Sequence, residues 1–159
     1  VNDKKKLYYI KIELNFDDNI IKAVTNIDDK INGTGLFKNK SKTKYSIDYT
    51  IKMPVNLKLD LNNKYGNIYI KEIHGKSKIN LKYGTLKADN MLFPNTKPLS
   101  RIYIKYGKGF IGECNWASVV FKYSEMTIDK GTALVFITKY SELNLGVCSS
   151  VIAESGYDV

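Results

Sequence analysis

Arginine is nearly absent from this sequence of 159 residues. Arg101 is the only arginine among 25 basic side chains, which outnumber 16 acidic ones and give a net charge of +9. Because the guanidinium group grips phosphates and base edges best, this scarcity disfavours a nucleic-acid partner. The charge is also spread evenly, with +4 over residues 1–54 and +5 over residues 55–159. We therefore predict no nucleic-acid partner, while a basic domain that binds another anionic polymer is an alternative.

Proline, cysteine and long apolar runs are also scarce. Three prolines and two cysteines exclude a proline-rich linker and a dense disulfide framework. No stretch approaches the ~18 consecutive apolar residues of a membrane span, so we predict none. Hydrophobic residues still make up 43% of the chain, enough to bury a core. Since the sequence begins at Val1, we expect an initiator and a leader to lie outside it.

The N-terminal third predicts a strand, a helix and a second strand. Residues 7–14 alternate imperfectly between apolar and polar side chains, which indicates a strand. Residues 17–31 carry isoleucines and a valine at helical spacing, which predicts a helix that ends at Asn32. Residues 45–53 alternate strictly, which is typical of a strand with one buried face, and Pro54 ends it.

From residue 55 to residue 159 the chain repeats a short motif, so we separate this region from a cap formed by residues 1–54. The tyrosines of the motif are 18, 23, 17, 17 and 17 residues apart. A nearly fixed period is the mark of a repeat architecture. The copies are Lys64-Tyr65-Gly66, Lys82-Tyr83-Gly84, Lys105-Tyr106-Gly107, Lys122-Tyr123-Ser124, Lys139-Tyr140-Ser141 and the degenerate Gly156-Tyr157-Asp158.

Apolar residues occupy the same positions in each copy. Counted from the tyrosine, positions +3 and +5 are mainly apolar and two residues apart, as in a strand. Position −4 is apolar in every copy but has the opposite parity, so the chain must turn or bulge after the tyrosine. Position −4 holds Leu61, Ile79, Ile102, Val119, Phe136 and Ala153.

This pattern predicts a mainly β fold, a parallel β-solenoid of ~17-residue coils with an N-terminal α+β cap. One coil cannot bury its own apolar face, but coils stacked ~4.8 Å apart share a core and pair their backbones. A β-sandwich with coincidentally spaced tyrosines is the alternative, although a sandwich needs no register shared between repeats.

Stacked coils would align the tyrosines and the lysines before them into two ladders. The tyrosine ladder is a candidate binding strip for sugar rings or another surface; alternatively, the rings only shield a corner. The lysine ladder is a candidate contact for an anionic partner; alternatively, it is a soluble edge that blocks strand pairing. The candidate residues are Tyr65, Tyr83, Tyr106, Tyr123 and Tyr140, with Lys64, Lys82, Lys105, Lys122 and Lys139.

No arrangement of residues indicates catalysis, a metal or a cofactor. Cys114 and Cys148 share position +8 two coils apart, about 9.6 Å along the axis, which exceeds the ~7 Å limit for the Cα atoms of a disulfide. We therefore predict two free, mostly buried thiols. His74 precedes a glycine at a predicted turn. Asp89 and Asp129 share position +6 but are too far apart for the paired acids of glycosidases, so we predict no enzyme activity.

Three stretches share a strand, a K-Y-G or K-Y-S turn and a second strand: residues 59–70 (LDLNNKYGNIYI), 79–88 (INLKYGTLKA) and 139–146 (KYSELNLG). They resemble a bacterial adhesin family of unknown function, which carries short β-strand repeats of this kind. The resemblance covers about residues 45–159. It implies an exported β-solenoid, periplasmic or at the cell surface, and it assigns no binding residues.

The sequence thus favours a non-catalytic adhesin or surface scaffold whose partner is a glycan or another surface protein. A carbohydrate-binding or carbohydrate-processing β-helix protein is an alternative, as is the basic domain described above. Because the sequence stops at Val159, inside a sixth coil, we expect that coil to be frayed or to pair with another chain through its open strand edge.

Overall fold

The computed structural model describes residues 10–17, 20–27 and 47–158, and every regular element within them is a β-strand. Contacts divide the chain into two compact units, Val1–Thr50 and Ile51–Val159. The predicted domain boundary at Pro54 stays a prediction. Within these residues there is no helix of the length and apolarity that crossing a membrane requires.

The first unit contains an antiparallel pair of strands, β1 (Ile10–Asp17) and β2 (Ile20–Ile27). The helix predicted over residues 17–31 is therefore wrong where the structure describes it. Five of the eight residues of β2 are isoleucine, valine or threonine, which favour strands, and an apolar spacing over so few residues does not separate a helix from a strand. The strand predicted over residues 7–14 is confirmed from Ile10 onward.

Residues 47–54 form no strand, so the strand predicted over residues 45–53 is wrong in its described part. An alternating pattern shows which side chains could share one face of a strand. It does not show whether a neighbouring strand is present to take the backbone hydrogen bonds. In the second unit this segment leads into a turn at Val55, whose carbonyl accepts hydrogen bonds from the amides of His74 and Gly75. Met53 packs against the buried core.

The second unit is the predicted parallel β-solenoid. Its strands alternate between two faces, and each face pairs only with its own face in the coils before and after. Face A comprises β3 (Leu59–Asn63), β5 (Ser77–Lys82), β7 (Ser100–Lys105), β9 (Ala117–Lys122) and the later parts of β10 (Glu125–Lys139) and β11 (Glu142–Glu154). Face B comprises β4 (Ile68–Ile73), β6 (Thr85–Leu92), β8 (Lys108–Asn115) and the earlier parts of β10 and β11.

The pairing register confirms the predicted columns. Leu61, Ile79 and Ile102 pair in turn across three coils, and Val119 and Phe136 continue the column. The interior side chains of these columns are almost completely buried in the middle coils. Each coil therefore completes the core of its neighbours, and no coil has a core of its own.

Each coil also bends at position +6, which the sequence analysis did not predict. Asp89, Gly112 and Asp129 occupy this position, and all three are skipped in the strand ladders. The bend shifts the alternation of side chains by one residue. The side chains at both position +5 and position +8 therefore point into the core. The sequence did contain a sign of this bend, since positions +5 and +8 are both mainly apolar although they are three residues apart.

The corner after each tyrosine brings the backbones of successive coils into close contact. A Cβ atom on Gly84 would lie 1.9 Å from the carbonyl oxygen of Gly66, and one on Gly107 would lie 2.4 Å from that of Gly84. Glycine is therefore required at these corners because there is no room for a side chain.

Further along the solenoid, serine replaces glycine at the corner and hydrogen-bonds from coil to coil. The Oγ atom of Ser124 accepts a hydrogen bond from the amide of Gly107 (3.2 Å) and donates one to the carbonyl of Lys122 (2.7 Å). Ser141 repeats the pattern one coil later with the amide of Ser124 and the carbonyl of Lys139.

Asp158 ends this series of corner residues. Its carboxylate accepts hydrogen bonds from the amides of Ser141 (2.8 Å) and Gly156 (3.1 Å) and from the hydroxyls of Ser155 (2.7 Å) and Thr138. Desolvation opposes ionisation of this carboxylate, but the four hydrogen bonds outweigh it and lower the pKa of Asp158. The last coil, Ser150–Glu154 in β11, stays paired with β10; its pairing with another chain stays a prediction.

Gly84→Ala should reduce the free energy of unfolding by about 1–3 kcal/mol, because the new methyl group forces neighbouring coils apart. Urea denaturation measures the change. Gly156→Ala is the matched control, since its Cβ would lie 3.8 Å from the nearest atom, and it should shift stability by less than about 0.5 kcal/mol. Equal effects of the two substitutions would contradict the close approach at this corner.

Asp158→Asn should lower Tm at neutral pH, and its Tm difference from the wild type should shrink on acidification. The lowered pKa means that Asp158 adds stability above its unfolded-state pKa, and this contribution is lost as pH falls through the folded-state value. Thermal unfolding between neutral and strongly acidic pH checks this. Asp60→Asn, at an exposed aspartate, is the control and should lower Tm at neutral pH less than Asp158→Asn. A Tm difference that does not vary with pH would refute the assignment.

Candidate functional site: a ladder of tyrosines and lysines

Six tyrosines stack in a continuous column along one corner of the solenoid. Neighbouring ring centroids are 5.1–5.3 Å apart and the ring planes differ by only 9–21°. The five centroid spacings together make the stack about 26 Å long. All six rings are exposed, from 39% at Tyr106 to 80% at Tyr157. The predicted alignment of Tyr65, Tyr83, Tyr106, Tyr123 and Tyr140 is confirmed, and Tyr157 extends it.

Most of these tyrosines have a left-handed backbone. Tyr83, Tyr106, Tyr123, Tyr140 and Tyr157 have φ angles between 50° and 58°. Bulky residues rarely adopt this conformation, which costs about 1–2 kcal/mol and which glycine or asparagine would tolerate better. In the first coil the positive φ falls instead on Gly66, at 110°. An aromatic ring is thus retained at five corners despite the backbone strain.

Stacking decides which part of each ring a ligand can reach. Tyr83, Tyr106, Tyr123 and Tyr140 each have a tyrosine neighbour on both sides, so their faces are covered. A sugar ring or base cannot stack on these faces, and only Tyr65 and Tyr157 have a face without a tyrosine neighbour. The inner rings present their edges and phenolic hydroxyls to solvent.

The lysine before each tyrosine runs beside the rings in a second column. Lys82, Lys105, Lys122 and Lys139 pair directly with one another on successive coils. The amino groups of Lys64, Lys82, Lys105 and Lys139 lie 4.8–5.3 Å from the ring centroid of the following tyrosine. That of Lys105 also lies 5.9 Å from the ring of Tyr123. Contacts of this kind are weakly attractive, because each ammonium group lies over an electron-rich ring, and they hold the lysine column beside the tyrosine column.

One pair of carboxylates on adjacent coils escaped the sequence analysis. Glu125 pairs directly with Glu142. Both occupy position +2 of the repeat, so an alignment of the repeats would have revealed this pair. Both side chains are exposed. Glu125 accepts a hydrogen bond from the amino group of Lys108 at 2.7 Å, and Glu142 accepts one from the side-chain amide of Asn144 at 2.9 Å. Neither has the burial that a protonated catalytic acid requires.

The two cysteines occupy one column with Gly131 between them, as predicted. Both thiols are free; Cys114 is buried, whereas Cys148 is only partly buried. Burial, with a smaller contribution from the charge of Cys148, raises the pKa of Cys114 to about 12. This thiol stays protonated and unreactive at neutral pH. His74 is partly exposed and contacts Glu72 at 2.6 Å.

Two open depressions lie beside the last coils. One, of about 210 Å³, is lined by Thr138, Ser141 and Asp158 among others. Among residues 47–158 no group of three or more histidine, cysteine, aspartate or glutamate side chains converges as a metal site would need. No protein-family model, no curated protein and no solved structure matches this chain. The ladder geometry is therefore the main guide to function.

A double-mutant cycle should measure the stacking between Tyr106 and Tyr123. Asparagine tolerates the left-handed backbone, so Tyr106→Asn and Tyr123→Asn remove the rings without adding strain. We expect a coupling energy of about 0.5–1.5 kcal/mol from urea denaturation. Tyr83 and Tyr140 are not in contact, so the same cycle on that pair should be additive within about 0.5 kcal/mol. Similar coupling in both pairs would show that the stack itself is not responsible.

Proposed function

We propose that this chain is a non-catalytic β-solenoid that binds a partner along the tyrosine and lysine ladder, as an adhesin or surface scaffold. The observation that carries the proposal is the continuous exposed column of tyrosine edges with lysine ammonium groups beside it. Tyrosine offers contact area and a hydrogen-bonding hydroxyl at a low cost in side-chain entropy, which is why it is common in binding surfaces.

The strained backbone supports a role beyond stability. Non-glycine residues held in the left-handed region tend to cluster at functional sites. In this ladder the residue with positive φ is a tyrosine in five of six coils, although Gly66 shows that glycine also fits the corner. Stacking offsets part of the strain, and an exposed recognition strip gives a reason to keep the ring.

The arrangement of carboxylates supports a non-catalytic role. Glycosidases of the retaining kind need two carboxyl groups about 5–5.5 Å apart, one of them with a raised pKa. Glu125 and Glu142 are neighbours, but both are exposed and Glu125 is already paired with Lys108. A carbohydrate-processing activity therefore has less support than a binding role.

The resemblance of the K-Y-G and K-Y-S repeats to a bacterial adhesin family supports placing the protein outside the cytoplasm, in the periplasm or on the cell surface. A parallel solenoid suits this role, since stacked coils present a long surface without a deep pocket. The partner we propose is an extended glycan or a surface protein that lies along the axis.

Binding to a glycan array should distinguish a recognition strip from a purely structural corner. The wild type should bind extended glycans, and the triple variant Tyr106→Phe, Tyr123→Phe, Tyr140→Phe should bind about tenfold more weakly, because it keeps the stack but loses the exposed hydroxyls. Equal Tm values would show that the stack is intact.

Tyr69→Phe is the matched control, since its hydroxyl donates to Asp89 on face B, away from the ladder. It should bind like the wild type. Equal binding by the wild type and the triple variant would remove the ladder as the site. An absence of any bound glycan or surface protein would overturn the proposed function.

A further inference from the structure

The solenoid separates charges that are evenly mixed along the sequence. Face A, together with Lys64 at the corner that follows β3, carries seven basic and two acidic side chains that point outward, a net charge of +5. Face B carries four basic and six acidic ones, a net charge of −2. Those of face A are Lys64, Lys78, Lys82, Arg101, Lys105, Lys122, Lys139, Asp60 and Glu154. Those of face B are Lys71, Lys87, Lys108, Lys130, Glu72, Asp89, Glu113, Glu125, Asp129 and Glu142.

Among the described residues, the aligned lysines of face A have no ion pair, although Asp60 pairs in register with Lys78. Lys82, Lys105 and Lys122 pair with one another on successive coils, and Lys78 pairs with Arg101. Ammonium groups ~5 Å apart repel by about 1 kcal/mol in water. Within the described residues none of these lysines has an ion pair, whereas Lys108 on face B does. An anionic ligand along the column would relieve this repulsion.

The chemistry of face A favours a sugar polymer over a nucleic acid. Proteins that bind single strands stack bases on open aromatic faces, but the inner tyrosine faces are covered. Duplex recognition relies on arginine, and this face has only Arg101. The amides of Asn62 and Asn80, which also lie on face A, and the tyrosine hydroxyls are suited to sugar hydroxyls.

We propose that face A binds a linear anionic polysaccharide that lies parallel to the solenoid axis, with its carboxylates on the lysine column. In an extended β-1,4-linked chain successive sugars point their carboxylates to opposite sides, so every second carboxylate faces the solenoid and meets every second lysine, about two coil spacings along the axis. This inference rests on the proposed function and names the ligand class of the same ladder. Each contact between a lysine and a carboxylate is a charge-assisted hydrogen bond. Because the repeat of the polysaccharide matches that of the coils, several of these contacts form at once.

The test uses the full chain and fluorescently labelled β-linked oligomannuronate, with the matching neutral mannan oligosaccharide as a comparison. The wild type should bind the oligomannuronate at least about tenfold more tightly than the neutral one, and the affinity should fall steeply between about 50 mM and 200 mM salt.

Two charge-matched triple variants locate the site. Lys82→Gln, Lys105→Gln, Lys122→Gln on face A should weaken binding at least about tenfold, because contacts are lost whichever alternate lysines the chain engages. Lys71→Gln, Lys87→Gln, Lys130→Gln on face B removes the same net charge and should weaken binding less than about twofold. Equal weakening would mean that only net charge matters and would overturn the inference.

The remaining outcomes separate this inference from the proposed function. Binding of neutral glycans or of a surface protein through the tyrosines, without preference for oligomannuronate, would overturn the ligand class and leave the binding role intact. Tighter binding of a single-stranded oligonucleotide would also overturn the ligand class. If the array and the oligomannuronate both give no binding, the two proposals fall together.

Discussion

The in-register pairing of each residue with its counterpart one coil away is the constraint on which the structure depends. It places Leu61 under Ile79, Tyr106 under Tyr123 and Lys82 under Lys105. Because each coil buries its apolar side chains only against its neighbours, the core and the surface ladders share one register. The close approach at Gly84 shows how tightly this register is held, since even one methyl group has no room there.

The solenoid was predictable because its information is repeated. The tyrosine and several apolar positions recur from coil to coil, and a lysine precedes the tyrosine in the first five copies. A single exception such as Gly109 or Gly131 therefore does not hide the pattern of its column. The N-terminal region offered no repetition. Its isoleucines fit both a helix and a strand, and the structure pairs Ile20–Ile27 with Ile10–Asp17. Alternation over residues 45–53 likewise gave no information about a partner strand, and residues 47–53 form no strand.

The sequence predicted which residues make up the candidate site but not how they are arranged. The sequence placed the tyrosines in one column, but it could not show that their backbones are left-handed or that their ring faces are covered. The difference in charge between the two faces was also hidden in the sequence. Each coil of 17 residues contributes to both faces, so a net charge counted along the chain averages face A with face B. The pairing of Glu125 with Glu142 was readable from the repeat, since both occupy position +2.

In the binding role proposed for the ladder, structure and recognition depend on the same contacts. Stacking of Tyr106 on Tyr123 stabilises adjacent coils and also fixes the spacing of the hydroxyls and ammonium groups along the ladder. No single coil offers more than a weak, exposed contact. Affinity must therefore come from several coils engaging one extended partner at once, and selectivity must come from the match between its repeat and the coil spacing. This reasoning favours a periodic polymer over a small ligand, which would meet only one coil.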